Sequence, residues 1–211
     1  LVTIGVITIV RQIIPKPGPQ PTPAEHPIRL LAVAPLENLT GDSSQTFFAQ
    51  GVTDQLIASL TQIASLTVIK LPPQRGDSAP VDLARNRGVD IDAVLAGSFQ
   101  RVGDEVRITA QITMATTGQA IWARSYSGEL REILSLQDSV VRAVADTLRV
   151  SLSSRDRTRL GAAKRQVNPD AYEAYVRGVY FLGKVSGADF RKAIGYFQQA
   201  IDAEPFYAAA Y

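Results

Sequence analysis

The chain has 211 residues, 45% of them apolar, and 22 Lys and Arg stand against 20 Asp and Glu, for a net charge of +2. These values exclude a mini-protein and a disordered tail, and they predict one ordinary domain plus a smaller one. So balanced a charge argues against nucleic-acid wrapping, which needs a concentrated basic face, so we expect no direct nucleic-acid contact. Cysteine is absent and His26 is the only histidine. Thiolate metal sites are therefore excluded, and histidine-based catalysis would have to use one residue.

The first ten residues carry no charge and are rich in Val, Ile and Thr. A membrane helix needs about 20 apolar residues, so we interpret residues 1–14 as a truncated transmembrane helix. A buried strand is the alternative, because β-branched residues dominate. By the positive-inside rule, Arg11 and Lys16 favour a cytoplasmic position for the residues that follow the span. The rule compares the two flanks of a span, however, and the sequence contains only one of them, so it does not decide the side.

Residues 15–27 read PKPGPQPTPAEHP and contain six of the twelve prolines. Alternating proline fixes φ and removes backbone donors, which predicts an extended polyproline II linker. At about 3.1 Å per residue it would span roughly 40 Å. A ligand for an SH3-like domain is the alternative. We interpret His26 as a solvated linker residue.

Residues 28–153 predict an α/β domain. Strands are expected over 28–34, 66–71, 93–100, 105–114 and 119–127, and the strand over 105–114 alternates apolar and polar side chains, as an antiparallel strand with one wet face does. Helices are expected after Asp42, over 80–87 and over 132–152. The first has Phe48, Val52, Leu56 and Leu60 on one face.

The resulting order, β-α-β-α-β-β-β-α, predicts a mixed sheet covered by helices. A doubly wound nucleotide-binding fold is excluded, because the first strand is followed by PLENLTGD rather than a G-x-G-x-x-G turn.

Residues 154–167 are rich in Arg and Lys, and we interpret them as a connecting helix, with an acidic-lipid or nucleic-acid patch as the alternative. From residue 168 the pattern fits a tetratricopeptide (TPR) repeat followed by the start of a second. The residues at the signature positions are Ala174, Gly178, Phe181, Ala193, Phe197, Ala200 and Pro205. Small residues would let two antiparallel helices approach, aromatics would fill the seam, and the proline would close the unit.

The search for functional residues yields candidate ligand- or partner-binding positions, and it predicts no catalytic residue, metal site or cofactor. Asn38, Thr40 and Asp42 lie between a strand and a helix, where ligands bind in α/β sheets, although local capping explains them equally well. Trp122 and Tyr126 share one side of a strand, as a ligand-stacking platform or as core aromatics.

Asp90 and Asp92 form a carboxylate pair that could bind a cation or act as acid and base. These two aspartates underlie the one enzymatic hypothesis, a hydrolase or binding enzyme.

Three stretches, IRLLAVAPLENLTGD, GSFQRVGDEVRITAQ and the WARSY segment, together resemble the TolB amino-terminal-like module of bacterial signalling proteins. The continuation from NPDAYEAYVRG resembles the TPR repeats that follow this module there. The resemblance covers residues 28 to 211. It implies a non-catalytic module after a single membrane span, joined to a winged-helix DNA-binding, serine/threonine kinase or adenylate cyclase domain.

We therefore expect a sensory and protein-interaction region that has no enzymatic activity of its own. A protein or peptide partner would bind the TPR groove, and the amino-terminal helix would contact the membrane. The resemblance places the chain in the bacterial inner membrane as a single-pass protein, with its folded part on the periplasmic side. The alternative is a membrane-anchored envelope scaffold or assembly protein without an effector domain.

Overall fold

The computed structural model describes residues 28–73, 79–86, 88–149, 152–154, 158, 166–184, 186–207 and 209. The predicted transmembrane helix (1–14) and proline-rich linker (15–27) lie outside these residues, and so does most of the predicted connecting helix (154–167). Within the described ranges, no helix is both long and apolar enough to cross a membrane.

A six-stranded mixed sheet forms the centre of the amino-terminal unit. Its strands are β1 (Leu30–Val33), β2 (Glu37–Asn38), β3 (Thr67–Lys70), β4 (Ala93–Val102), β5 (Glu105–Met114) and β6 (Ala120–Glu129). The spatial order is β3-β1-β4-β5-β6, and β2 pairs with the second half of β4. The β1 strand is parallel to both neighbours, whereas β4, β5 and β6 form an antiparallel meander. The mixed α/β fold predicted from the sequence is confirmed.

The described part of this unit contains the α-helices α1 (Thr46–Thr61), α2 (Pro80–Arg85) and α3 (Ile133–Thr147). The predicted α1 face is confirmed, because Phe48, Val52, Leu56 and Leu60 are all buried. The α3 helix is shorter than the 132–152 expected, but Ile133, Val140 and Val144 are buried on its predicted stripe.

Two hydrophobic clusters lie on the two faces of the sheet. The larger contains Leu31, Leu95 and Ile108 from the strands together with the apolar faces of α1 and α3. The smaller lies beneath α2 and contains Ala84 and Val94. The alternation over 105–114 predicts one buried and one solvent-exposed face for β5, and this is confirmed. Val106, Ile108, Ala110 and Ile112 belong to the larger cluster, whereas Glu105, Arg107 and Gln111 are exposed.

Two further helices, α4 (Pro169–Leu182) and α5 (Gly187–Ala203), pack against each other as a pair. Asn168 caps α4, since its side chain accepts hydrogen bonds from the backbone N–H groups of Asp170 and Ala171. The Asn168 N–H also donates to Glu204 Oε2 at 2.8 Å, which ties the start of α4 to the end of α5.

Small residues lie where α4 and α5 meet. Ala174, Ala193 and Ala200 are buried. A Cβ placed on Gly178 would lie 2.5 Å from Phe197, so only glycine allows this approach. This is the packing that the spacing of the small residues predicts. Whether the pair is a repeat of a TPR array stays a prediction at this point.

Candidate partner-binding site

The helix pair docks onto the α/β unit through Tyr172 at the start of α4. The ring of Tyr172 is fully buried and stacks near Phe48 of α1, with centroids 6.3 Å apart. Its hydroxyl accepts a hydrogen bond from Nε2 of buried Gln137 on α3, at 3.0 Å. Burial, followed by the proximity of Tyr207, raises the pKa of the Tyr172 phenol well above its usual range. Tyr172 therefore joins α1, α3 and α4 as an uncharged core residue.

Helices α1 and α4 touch where Gly51 faces Val176. A Cβ on Gly51 would lie 2.7 Å from Cβ and Cγ1 of Val176, closer than real side chains come. Both residues are fully buried or nearly so. The absence of a side chain at Gly51 therefore sets how closely the helix pair approaches the α/β unit.

Glu173 on α4 forms a charged junction with two arginines. Arg101, at the end of β4, lies 3.1 Å from Glu173 Oε2, and Arg177 donates to Glu173 Oε1 at 2.7 Å. Partial burial alone would raise the pKa of Glu173, but the hydrogen bonds and charges of Arg177 and Arg101 outweigh it and lower that pKa. Glu173 is therefore an ionised link between the sheet and the helix pair.

Both arginines also lie over aromatic rings of α1. The guanidinium of Arg101 is 4.7 Å from the Phe48 ring centroid, and that of Arg177 is 4.3 Å from the Phe47 centroid. Planar guanidinium groups form such contacts while still bonding carboxylates. Their orientation is thus fixed by two kinds of contact at once.

Two clefts border this interface. The charged cleft, of about 380 Å³, lies along α4 and α5, and is lined by Asp170, Glu173, Ala174, Arg177, Tyr196 and Gln199. The amide-lined cleft, of about 310 Å³, lies between α1, α3 and α4, and its lining includes Gln55, Gln62, Gln137, Tyr175 and Tyr207. Volumes of this size can hold a few residues of a peptide. The charged cleft is lined by residues of α4 and α5 alone. Sequence reasoning missed the amide-lined cleft, because the α1 and α3 residues that line it are more than 70 positions apart in sequence.

The predicted loop site at Asn38, Thr40 and Asp42 is held together by its own hydrogen bonds. The Thr40 hydroxyl donates to Asn38 Oδ1 at 2.6 Å, and the Asn38 amide donates to the backbone carbonyl of Asp42 at 2.9 Å. Gly41 has φ of 76°, which permits the tight turn. The local-capping alternative accounts for these contacts, and ligand binding at this loop stays a prediction.

Trp122 and Tyr126 lie on the core side of β6. They are half-buried and pack against the larger cluster, opposite Ile112 and Ile108 of β5. The Tyr126 hydroxyl is buried and has no hydrogen-bond partner among the described residues. This packing fits the core-aromatic alternative, and a ligand-stacking role stays a prediction.

Asp92 has a structural task in the described chain. Its Oδ2 accepts hydrogen bonds from the backbone N–H groups of Arg29 and Leu30 at 2.8 and 2.9 Å. These bonds hold the start of β1 against the start of β4. Asp90 is exposed, and no group of three acidic or histidine side chains that could hold a metal occurs among the described residues.

The predicted TPR positions divide into three roles. Ala174, Ala193 and Ala200 are buried, and Gly178 lies against Phe197 of the other helix. Phe181 stacks on Tyr196 at 5.5 Å, and Phe197 lies 6.0 Å from Tyr175. Pro205 follows the end of α5.

Among curated proteins, the chain is similar to "Putative adenylate cyclase 3" of Rhizobium meliloti, with 31% identity over 199 residues. The match covers 93% of this chain, which spans about one third (33%) of the relative's length. No protein-family model matches the chain.

Among solved structures, the chain is similar to TolB from Acinetobacter baumannii, with a TM-score of 0.46, 16% identity, and coverage of 59% of this chain and 29% of that one. It is also similar to the LpoB carboxy-terminal domain from Salmonella enterica, with a TM-score of 0.40, 20% identity, and coverage of 51% and 87%. Lipoprotein GNA1162 from Neisseria meningitidis gives a TM-score of 0.38, 22% identity, and coverage of 59% and 99%.

Proposed function

We propose that the chain is the non-catalytic sensory and protein-interaction region of a bacterial signalling protein whose effector domain lies outside these 211 residues. The match to the cyclase-named relative supports this, because it covers both structural units together yet occupies one third of a longer protein. Because that relative is named an adenylate cyclase, an adenylate cyclase domain is the first candidate for the effector. A kinase or a winged-helix domain is the alternative that the sequence resemblance implies.

The observation that carries the proposal is the apolar outer face of α5. Phe190 and Ile194 are 41% and 68% exposed there, and Phe206 beyond the helix is 96% exposed. One helix pair of a solenoid cannot bury its own outer face, and the next pair covers it. We therefore propose that α4 and α5 form the first TPR repeat of a longer array, with α1 of the α/β unit covering the opposite side.

In this arrangement the α/β unit serves as the amino-terminal cap of the array. The docked residues Tyr172, Val176 and Gly51 provide the apolar contact that a preceding repeat would give. The partner is a protein or peptide bound along the groove. The membrane contact lies in residues 1–14, and the folded part lies on the extracytoplasmic side of the inner membrane.

The array is tested by the substitution Ile194→Glu in the full-length protein. If a second repeat covers α5, the carboxylate of the new glutamate is buried. The midpoint temperature of thermal unfolding then falls by several degrees, because an unpaired buried charge is costly. Gln199→Glu, on another side of the same helix where it lines the charged cleft, is the matched control. An unchanged unfolding temperature for Ile194→Glu would contradict the array.

The non-catalytic role is tested by assaying the 211-residue chain for cyclic AMP formation from magnesium ATP, for kinase activity and for ester hydrolysis. We expect no turnover. Activity that follows the pure protein through successive columns would overturn the proposal. A reporter fusion after residue 211 in whole cells tests the side of the membrane.

A further inference from the structure

Strand β6 is a long, uncovered edge of the sheet. It has ten residues, most of them exposed, and among the described residues it pairs only with β5. Unpaired backbone groups at an edge bind other strands, so most proteins keep edges short or protect them with Lys or Pro. The opposite edge, β3, has four residues that end at Lys70, and Pro72 and Pro73 follow it. Because β6 contains neither Lys nor Pro, it is the edge that another strand can join.

The register of β5 and β6 shows which backbone groups of β6 point outward. The Met114 N–H donates to the Gln119 carbonyl at 2.9 Å, so Met114 directs its N–H toward β6. Successive residues of a strand direct their N–H and C=O groups to alternate sides, so the other even-numbered residues of β5 also bond β6. Their partners in the register are the even-numbered residues of β6. The N–H and C=O groups of the exposed residues Ala123, Ser125 and Ser127 therefore point away from the sheet.

Two copies of β6 complement each other when they pair antiparallel about Ser125. In this register Arg124 of one copy lies opposite Tyr126 of the other. Arg124 is exposed, and its guanidinium has no hydrogen bond or ion pair among the described residues. A guanidinium over a tyrosine ring is a favourable cross-strand pair. The two-fold axis through Ser125 produces this pair twice.

The same register places Trp122 of one copy opposite Gly128 of the other. Leu136 of α3 lies 3.4 Å from the position of a Cβ on Gly128, so an apolar group already reaches this place. An aromatic ring opposite an edge glycine covers the backbone that the glycine leaves open. Trp122 and Tyr126 both pack against the larger cluster, so that cluster would continue from one copy to the other.

The neighbouring registers fit less well. An axis at Arg124 would place two arginines opposite each other, and like charges in this position are destabilising. An axis at Tyr126 would place Arg124 opposite Gly128 and leave the guanidinium without a ring. An axis between two residues is excluded, because outward-pointing backbone groups of one copy would then face inward-pointing groups of the other. Side-chain chemistry therefore selects the register centred on Ser125.

We propose that β6 is the interface of a homodimer, in which two copies of the chain pair antiparallel about Ser125 and join their sheets into one. Backbone hydrogen bonds of Ala123, Ser125 and Ser127 hold the two strands together, and the two pairs of Arg124 with Tyr126 fix the register. Two copies joined in this way would also bring the proposed effector domains together. The inference goes beyond the proposed function, and it depends neither on the TPR array nor on the identity of the effector.

The chain has no cysteine, so a single introduced thiol can report the register. Opposite residues in a hydrogen-bonded pair have Cα atoms about 5.5 Å apart, within the range that a disulfide spans. Under oxidised glutathione, the 211-residue chain with Ser125→Cys should therefore form a disulfide-linked dimer. Ser127→Cys, also exposed on the same strand, is the matched control, because its two copies would lie roughly 14 Å apart along the strands. We expect Ser125→Cys to cross-link several-fold faster than Ser127→Cys.

A double variant checks that the register, rather than the position of one thiol, sets the rate. Ala123→Cys combined with Ser127→Cys places a thiol opposite a thiol on both sides of the axis, so it should cross-link as fast as Ser125→Cys. Equal rates for Ser125→Cys and the single variant Ser127→Cys would show chance collision. In that case two copies do not pair here, the edge is open to a strand of a different protein, and the proposal is wrong.

A further variant tests the side-chain pair. Arg124→Glu, introduced into the Ser125→Cys chain, replaces the cation that faces the Tyr126 ring, and we expect the cross-linking rate to fall several-fold. Arg191→Glu, the same change of charge at an exposed position on α5, is the control and should leave the rate unchanged. If Arg124→Glu also leaves the rate unchanged, the proposed register is wrong.

Discussion

Arg101, at the end of β4, donates to Glu173 on α4 at 3.1 Å and so joins two residues that lie 72 positions apart. Arg177 bonds the other oxygen of the same carboxylate. Because one arginine belongs to the sheet and the other to the helix pair, this ion triplet spans the interface between the units. We infer that the α/β unit and the helix pair unfold together, both at low pH and when a mutation destabilises either of them.

The pH dependence of stability tests this triplet. The pKa of Glu173 is lowered in the folded chain, so its contribution to stability is present above the unfolded value of about 4.3 and is lost as the pH falls through the folded value. We expect urea unfolding to show a stability loss below about pH 4.3 that is smaller in Glu173→Gln. Identical slopes for the two proteins would contradict this role.

The close approach of α1 and α4 predicts a cost for any side chain at Gly51. Gly51→Ala brings a Cβ within 2.7 Å of Val176, and overpacking of this kind destabilises by about 1–3 kcal/mol. Gly195→Ala on α5 is the control, because no atom lies within 4 Å of its added Cβ. The control should gain about 0.5–1 kcal/mol from helix propensity. Denaturant unfolding of both variants measures the difference, and equal effects would mean that the interface is loose.

The two neighbouring aspartates should behave differently. Asp92→Ala leaves the N–H groups of Arg29 and Leu30 without their acceptor, which costs about 1–3 kcal/mol. Asp90→Ala, at an exposed position, should stay within about 0.5 kcal/mol of the parent. Thermal unfolding with and without magnesium or calcium completes the test. A metal-dependent shift that Asp90→Ala abolishes would favour the enzymatic hypothesis instead.

The sequence predicts best those strands and helices whose apolar residues recur at a regular spacing. The alternation from Glu105 to Met114 predicts β5 to the residue, and the four-residue spacing from Phe48 to Leu60 predicts the buried face of α1. The two-residue strand β2 is missed, because two residues carry no period.

The interface is missed for a different reason. Its contacts join residues that are far apart in sequence, as those of Tyr172, Gly51 and Arg101 show. The spacing of residues along the chain does not predict such contacts. Arg177 contacts both Phe47 and Glu173, and the sequence pattern of α4 predicts neither contact. Two features of the sequence could have pointed to the interface. Tyr172 lies at the start of an amphipathic helix, and Gly51 lies within a helix, where a glycine often marks a close approach.

The hydrogen bond between Gln137 and Tyr172 predicts coupling between α3 and α4. Tyr172→Phe keeps the ring beside Phe48 but leaves the buried Gln137 amide without its acceptor, at a cost of about 1–3 kcal/mol. Gln137→Leu removes the donor. Because the double variant has neither group to leave unpaired, it should lose less stability than the sum of the two single variants, by about 0.5–3 kcal/mol.

Tyr180→Phe, at a half-buried position on the same helix, is the control and should change stability by less than about 0.5 kcal/mol. Denaturant unfolding of all four variants completes the cycle, and strict additivity would mean that α4 does not depend on α3 for its position.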